Sequence, residues 1–141
     1  MENSPICIDA SVVVQLLVSP DGRTVQAHWK RWLQQGRHLL APSLLFYEAT
    51  NAFHQYRRGG YLSTEAVNQA LGVAMNLPIE VMDLRDLHSL ALALSEEYSF
   101  PATYDAHYLA LAKLNGAQFW TLDKRLVARV QSKLPWVYLI E

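Results

Sequence analysis

The 141-residue sequence predicts a single three-layer α/β domain with a central, mainly parallel five-stranded sheet. Short apolar runs alternate with longer amphipathic segments along the chain, and parallel strands need crossover helices that cover both faces of a sheet. Gly and Pro residues stand singly or in pairs between these segments, and no repeat or low-complexity tract divides the chain. We therefore expect one domain over residues 1–141.

The first half of the chain predicts two strands and four helices. Short apolar runs bounded by turn residues or an acid predict the strands Pro5–Asp9 and His38–Ala41. Apolar spacing and helix-start signals predict helices at Val12–Val18, at Arg23–Gln35, from Pro42-Ser43 to Arg58, and at Thr64–Leu77, with a turn over residues 19–22. On the second helix we expect a buried stripe of Val25, Trp29, Trp32 and Leu33. The Ser43 and Ser63 side chains are expected to cap the third and fourth helices.

The second half predicts three more strands, each separated from the next by at least one helix. Proline and aromatic-rich apolar runs predict strands at Ile79–Leu84, Gln118–Leu122 and Trp136–Ile140. The intervening segments predict helices at Asp86–Tyr98, Tyr104–Leu114 and Lys124–Gln131, and Asn115-Gly116 is expected to end the second of these.

Composition limits the class of protein. Twelve Lys and Arg against 13 Asp and Glu give a net charge of −1, which is not the strongly basic balance of non-specific nucleic-acid binders. The single cysteine, Cys7, is expected to be buried and cannot form an internal disulfide. Residues 1–4 lack a secretion-signal pattern, and the early apolar run Val12–Val18 is too short to cross a bilayer. We expect a cytoplasmic protein without a membrane segment.

Four of the 13 acids lie in apolar surroundings. Asp9 and Asp123 each end a predicted strand, at the sheet edge where ligand sites of α/β domains gather. Glu48 lies beside the buried stripe of its helix with Asn51 three residues on, and Asp105 lies in a first helical turn, where the helix dipole favours its ionised form.

Any one of these acids alone is more commonly a helix cap or the partner of a basic residue. Together at one edge they would repel one another, and burying them unpaired would cost several kcal/mol or so per ion. A hard divalent cation would offset that cost, and oxygen-only ligands suit Mg²⁺ or Mn²⁺ better than zinc.

The segments that carry these acids resemble the PIN-domain ribonucleases, in particular the VapC-type toxins of bacterial toxin–antitoxin pairs. Ile8-Asp9-Ala10-Ser11 resembles the family's first strand and acid, and the segment 42–49 resembles the helix with the glutamate. The segments 104–112 and 120–126 are similar to those bearing the third and fourth acids. All four occur in order along the whole chain.

The resemblance implies a PIN-like fold and a metal-dependent endoribonuclease that hydrolyses RNA with a metal-activated water, using Mg²⁺ or Mn²⁺. It implies Asp9 and Asp105 as direct metal ligands, Glu48 as a direct or water-mediated ligand, and Asp123 at the position that varies most in the family. It further implies a homodimer and a cognate antitoxin whose tail places an Arg or Lys in the acidic site. The supporting polar residues are expected to be Ser11, Asn51 and Thr121.

Candidate RNA contacts are the basic pairs Arg57-Arg58 and Lys124-Arg125. The five histidines are scattered without an acid–base pair, which argues against cleavage through the 2′-hydroxyl of RNA. Setting aside the four acids leaves nine acids against twelve bases, so a mildly basic body would surround an acidic pocket. The alternative is a catalytically inactive PIN-like module that binds RNA or protein; a phosphatase is disfavoured because Asp9 lacks the second Asp of an Asp-X-Asp pair.

Overall fold

A computed structural model of the chain describes residues 3–18 and 22–141. Its centre is a five-stranded sheet in which every pairing is parallel, with the strand order β3-β2-β1-β4-β5. The strands are β1 (Ile6–Ile8), β2 (Leu39–Ala41), β3 (Ile79–Val81), β4 (Gln118–Thr121) and β5 (Val137–Leu139). The predicted α/β class and five-stranded parallel sheet are therefore confirmed.

Helices connect the strands and cover the sheet. They are α1 (Ala10–Val18), α2 (Arg23–Gln34), α3 (Leu44–Arg58), α4 (Thr64–Ala74), α5 (Leu87–Glu97), α6 (Tyr104–Asn115) and α7 (Lys124–Val130). Every predicted helix and strand is present, although the strands are shorter than predicted and β3 ends at Val81 rather than Leu84. The turn predicted over residues 19–22 falls mostly on residues 19–21, which lie outside the described residues. No helix in the described ranges is long and apolar enough to cross a bilayer.

The strand order creates a crevice beside β1. The chain leaves β1 towards β2 on one side, and β4 pairs with β1 on the other, with Ile8 opposite Trp120. The order of strands reverses at this point, and α/β sheets bind ligands outside the carboxyl ends of strands at such a reversal. Asp9 follows β1 immediately, so it lies at this crevice.

The core is built from the central strand and the helix beside it. All three residues of β1 are fully buried, as are Leu109, Ala110 and Leu111 of α6. Cys7 is buried as expected, its thiol donates to the Tyr108 carbonyl oxygen at 3.6 Å, and burial raises the pKa of the thiol well above its usual value. A protonated, inaccessible thiol plays a packing role here.

Two local predictions are wrong. Leu33 is 45% exposed, although Val25, Trp29 and Trp32 are buried. Leu33 follows Val25 by eight residues. At ~3.6 residues per turn, this places its side chain about 80° around the helix axis from that of Val25. Ser43 makes no side-chain cap, because its backbone is already helical (φ −58°, ψ −23°) and caps require an extended residue. Its backbone N–H instead donates to Asp83 Oδ1 at 2.9 Å.

Two other helix-end predictions are confirmed. Ser63 is extended (ψ 161°), and its Oγ accepts from the Ala66 N–H at 3.0 Å at the start of α4. Gly116 ends α6 in the left-handed region at φ 59°, where a side chain would be strained.

Candidate active site

Asp9 is held by two hydroxyl groups at the junction of β1 and β4. Its carboxylate is only 7% exposed; Ser11 Oγ donates to Oδ1 and Thr121 Oγ1 donates to Oδ2, both at 2.5 Å. The hydroxyl oxygens in turn accept backbone N–H groups, Ser11 Oγ from Leu122 at 3.2 Å and Thr121 Oγ1 from Asp123 at 3.0 Å. Because an ionised carboxylate can only accept hydrogen bonds, both hydroxyl protons point at Asp9.

Burial raises the pKa of Asp9 from 3.8 to about 6. The hydrogen bonds from Ser11 and Thr121 oppose this rise because they favour the ionised form, and the negative charge of Asp105 adds to it. Burial alone would raise the pKa of Asp9 further. The two hydroxyl groups therefore keep this buried carboxylate ionised near neutral pH.

Glu48 is positioned by a tyrosine from another helix. The Tyr108 hydroxyl, on α6, donates to Glu48 Oε1 on α3 at 2.5 Å. Burial, followed by the hydrogen bond and charge of Glu48, raises the pKa of Tyr108 far above its usual value, so the phenol stays neutral and remains a donor. This residue was missed by the sequence reasoning. A buried tyrosine needs a partner for its hydroxyl, and that requirement was the available signal.

Asp105 interacts with the negative charges of all three other acids. Burial raises the pKa of Asp105, and the negative charges of Asp123 and Glu48 raise it further. Asp123 is more exposed, and its Oδ1 accepts from the Leu126 N–H at 3.1 Å as the N-cap of α7. The structure thus brings the four predicted acids near one another, with Asp123 also serving as a helix cap.

Three of the acids line a cleft of about 340 Å³. They are Glu48, Asp105 and Asp123, and basic and aromatic side chains line the same cleft. We call these basic and aromatic residues the arginine wall; they are Phe100, Tyr104, Arg125 and Arg129. Arg125 was predicted as an RNA contact, whereas Arg129 and the two aromatic residues were not named as site residues.

Arg129 fastens the loop that precedes α6. Its Nη1 donates to the Ser99 carbonyl oxygen at 3.0 Å, and its guanidinium lies 5.6 Å from the centre of the Phe100 ring. Ser99 has φ 56°, which is uncommon for a residue with a side chain. Arg129 therefore holds in place a strained turn whose next residues form the cleft and lead to Asp105.

The remaining predicted residues lie away from the cleft. Asn51 is exposed, and its Oδ1 accepts from the Gln55 side chain at 3.4 Å. Arg57 is hydrogen bonded to His54 at 2.7 Å and Arg58 to Gln55 at 3.3 Å. Lys124 is exposed and is not among the residues lining the cleft.

The carboxylate oxygens of the four acids are of the kind that a hard cation binds, but the side chains are not grouped closely enough to act together as its ligands. None of the four forms an ion pair with a described residue; the ion pair present joins His38 and Glu80 elsewhere. In the part of the chain that the structure describes, no three His, Cys, Asp or Glu side chains converge closely enough to hold a metal ion. Burial raises the pKa of Asp9 and of Asp105, and oxygen-only donors without a basic partner among the described residues are what Mg²⁺ or Mn²⁺ would stabilise.

Comparison with known proteins agrees with this architecture. The PIN domain family model matches residues 6–132. Ribonuclease VapC3 of Pyrobaculum aerophilum is 29% identical over 129 residues, which cover 88% of this chain and 93% of that protein.

Three solved structures share the fold. PAE2754 from Pyrobaculum aerophilum aligns with a TM-score of 0.71 and 23% identity, over 97% of this chain and 90% of its own. A toxin–antitoxin complex from Klebsiella pneumoniae aligns at 0.67 and 17% identity, over 94% and 95% of the two chains. VapC20 of Mycobacterium tuberculosis, described as a sarcin–ricin loop cleaving toxin, aligns at 0.63 and 17% identity, over 89% and 95%. The resemblance to PIN-domain proteins of the VapC type is confirmed, and the chain belongs to the PIN domain family.

Proposed function

We propose that this protein is a metal-dependent endoribonuclease, the toxin component of a toxin–antitoxin pair. The observation that carries the proposal is the cluster of carboxylates around Asp105, which have no ion-pair partner among the described residues and share a cleft with the arginine wall at the strand reversal of a PIN fold. A site that combines anionic groups with guanidinium groups suits a cation together with a phosphodiester.

Asp9, Glu48, Asp105 and Asp123 would hold Mg²⁺ or Mn²⁺. When bound, the cation would supply Lewis-acid stabilisation of the phosphate charge and a water of lowered pKa as the nucleophile. Ser11 and Thr121 fix the orientation of Asp9, and Tyr108 fixes that of Glu48. These positioning residues reduce the side-chain freedom that would otherwise be lost on binding the cation.

The arginine wall would bind the RNA. Arg125 and Arg129 are one helical turn apart on α7 and can contact successive phosphates of a single strand. Tyr104, which is 60% exposed beside Asp105, offers a ring on which a base can stack. Lys124, Arg57 and Arg58 do not line the cleft and would contact flanking phosphates.

An antitoxin and a second copy of the chain are the proposed protein partners. A basic side chain of the antitoxin would enter the cleft beside Glu48, Asp105 and Asp123, which have no ion-pair partner among the described residues. For the homodimer, the supporting feature is the apolar surface at and just after the edge strand β3, where Val81 and Leu84 are exposed. We place this activity in the cytoplasm, where RNA and a reduced Cys7 coexist.

A second candidate function is a catalytically inactive PIN-like module that binds RNA or protein. The observation that favours it is the lack of a three-ligand group among the described residues. The two candidates differ in their need for metal: the enzyme requires it for cleavage, whereas the module binds its partner without it.

The deciding experiment measures cleavage of total RNA and of defined single-stranded RNA with Mg²⁺, with Mn²⁺ and with EDTA. We expect cleavage with metal, none with EDTA, and a loss of at least about 100-fold in Asp105→Asn. Asp86→Asn is the matched control, because Asp86 is an exposed acid that does not line the cleft. Metal-independent RNA binding without cleavage of any RNA would favour the inactive module.

A further inference from the structure

A second cleft lies at the opposite edge of the sheet from the acids. It has a volume of about 340 Å³, at the low end of the roughly 300–1,000 Å³ of small-molecule sites. Its lining includes Gln118, the first residue of β4, and Arg37, which precedes β2. These positions are at the amino ends of strands, whereas Asp9 and Asp123 follow the carboxyl ends. We call this the amino-edge cleft.

The polar side chains of the amino-edge cleft are cationic or neutral. Arg31 and Arg37 line it together with Gln35 and Gln118, and no Asp or Glu among the described residues does. Among the described residues, Arg37 donates to neutral oxygens: the Ser4 carbonyl at 2.7 Å, Ser4 Oγ at 3.1 Å, Gln118 Oε1 at 3.0 Å and Gln35 Oε1 at 3.2 Å. The guanidinium group of Arg31 makes no hydrogen bond or ion pair with a described residue. Two guanidinium groups that lack a carboxylate partner in the described part of the chain favour an anionic ligand.

The rest of the wall is aromatic. Trp120 has the His28 ring at 4.9 Å and the Trp32 ring at 5.6 Å, and it stacks on Tyr138 at 4.8 Å with an interplanar angle of 16°. The Trp120 Nε1–H donates to Gln118 Oε1 at 3.1 Å, which fixes the indole against the polar rim. His28 Nδ1 is covered from water and has no hydrogen-bond partner among the described residues. Such an unsatisfied polar atom is uncommon in a wall with only a structural role.

We propose that the amino-edge cleft binds a nucleoside monophosphate, either as a free nucleotide or as the 5′-terminal nucleotide of an RNA. The guanidinium groups of Arg31 and Arg37 would bind the phosphate in the planar, two-donor geometry that arginine offers. The tryptophan and histidine rings would contact the base, whose flat surface suits an aromatic wall. A lone inorganic phosphate would leave that aromatic half of the cleft unused.

The test is calorimetric titration of the full-length protein with adenosine 5′-monophosphate in EDTA, so that no cation recruits phosphate to the acidic cleft. We expect one site, with Arg31→Gln raising the Kd at least about tenfold, as for losing a charged hydrogen bond. Lys30→Gln is the matched control: it removes the same charge from the adjacent exposed residue of α2, which does not line the cleft. We expect it to leave the Kd within about twofold.

Further ligands and one variant locate the site. Adenosine and inorganic phosphate should each bind at least about tenfold more weakly than the nucleotide. A 5′-phosphorylated RNA oligonucleotide separates the two forms of the ligand. If it binds more tightly than the mononucleotide, the ligand of the cleft is the end of an RNA; if it binds more weakly, the ligand is the free nucleotide. Asp105→Asn should not alter the affinity, and the indole N–H signals of Trp32 and Trp120 should shift in an NMR titration while that of Trp136 does not.

Four results would overturn the proposal. The first is no binding at millimolar nucleotide, and the second is an equal rise in Kd in Arg31→Gln and Lys30→Gln. The third is a change in Kd in Asp105→Asn as large as that in Arg31→Gln. The fourth is tighter binding of the aromatic carboxylate N-acetyltyrosine than of the nucleotide. None of these depends on RNA cleavage, so the proposal stands or fails separately from the proposed endoribonuclease activity.

Discussion

Replacing Asp9 by Asn should stabilise the metal-free protein while abolishing its response to metal. The pKa of Asp9 rises from 3.8 to about 6 on folding, a difference of about 2 units, and each unit corresponds to ~1.36 kcal/mol. Ionised Asp9 therefore destabilises the metal-free fold by about 3 kcal/mol above pH 6. Asparagine is never ionised and avoids this penalty.

The direction of the pH effect follows from proton binding. Between about pH 4 and pH 6 the folded protein keeps the Asp9 proton that the unfolded chain has released, so the stability of the wild type falls as pH rises through this range. Below pH 4 both states are protonated and the penalty is absent. An asparagine amide must donate to one of the hydroxyls that now donate to Asp9, which costs about 1 kcal/mol. The net gain at pH 8 should be about 2 kcal/mol.

Urea denaturation followed by tryptophan fluorescence in EDTA measures this difference at pH 4 and pH 8. We expect Asp9→Asn to exceed the wild type at pH 8 by about 2 kcal/mol and to lose that advantage at pH 4, while Asp86→Asn stays within ~0.5 kcal/mol at both. Adding Mg²⁺ should stabilise the wild type and not Asp9→Asn. The reasoning is refuted if the variant has no advantage at pH 8, or the same advantage at pH 4.

Three further predictions follow from individual contacts. Tyr108→Phe removes the hydroxyl that holds Glu48, so we expect kcat for RNA cleavage to fall about tenfold or more with little change in KM. Steady-state kinetics measure both constants, and a change in KM alone would contradict a positioning role. Arg125→Gln should raise KM several-fold and weaken its salt dependence, whereas Lys133→Gln, an exposed charge outside the cleft, should not. Ser63→Ala should cost about 1 kcal/mol in urea denaturation and Ser43→Ala much less, because only Ser63 accepts a helical N–H; equal losses would contradict this.

The elements and the positions of the acids were predictable because they depend on periodic patterns and strand ends. Asp9 and Asp123 each follow an apolar run, and parallel pairing of β1 with β4 then requires the two strand ends to be neighbours. The Tyr108–Glu48 contact joins residues 60 positions apart. It depends on how α6 packs against α3, which no local pattern contains.

The position of Arg57 relative to Glu48 depends on rotation about the axis of α3 as well as on distance along it. Arg57 is nine residues from Glu48, so at ~3.6 residues per turn it projects from about the opposite side of α3. The structure agrees, because Arg57 contacts His54 rather than the cleft. Arg125 and Arg129 both line the cleft, because their four-residue spacing keeps them on one side of α7, the helix that begins beside Asp123.

The surroundings of Asp9 explain why a substitution that raises the stability of the metal-free protein should lower its activity. The same burial that raises the pKa of Asp9 excludes water from its carboxylate, and the hydroxyls of Ser11 and Thr121 recover only part of the lost hydration. Repulsion from Asp105 adds to the penalty, and Glu48 and Asp123 act on Asp105 in the same way. A cation bound among them would attract all four carboxylates and so offset these repulsions together. Neutral substitution of Asp9 or of Asp105 should therefore stabilise the metal-free protein in urea denaturation, while each weakens metal binding.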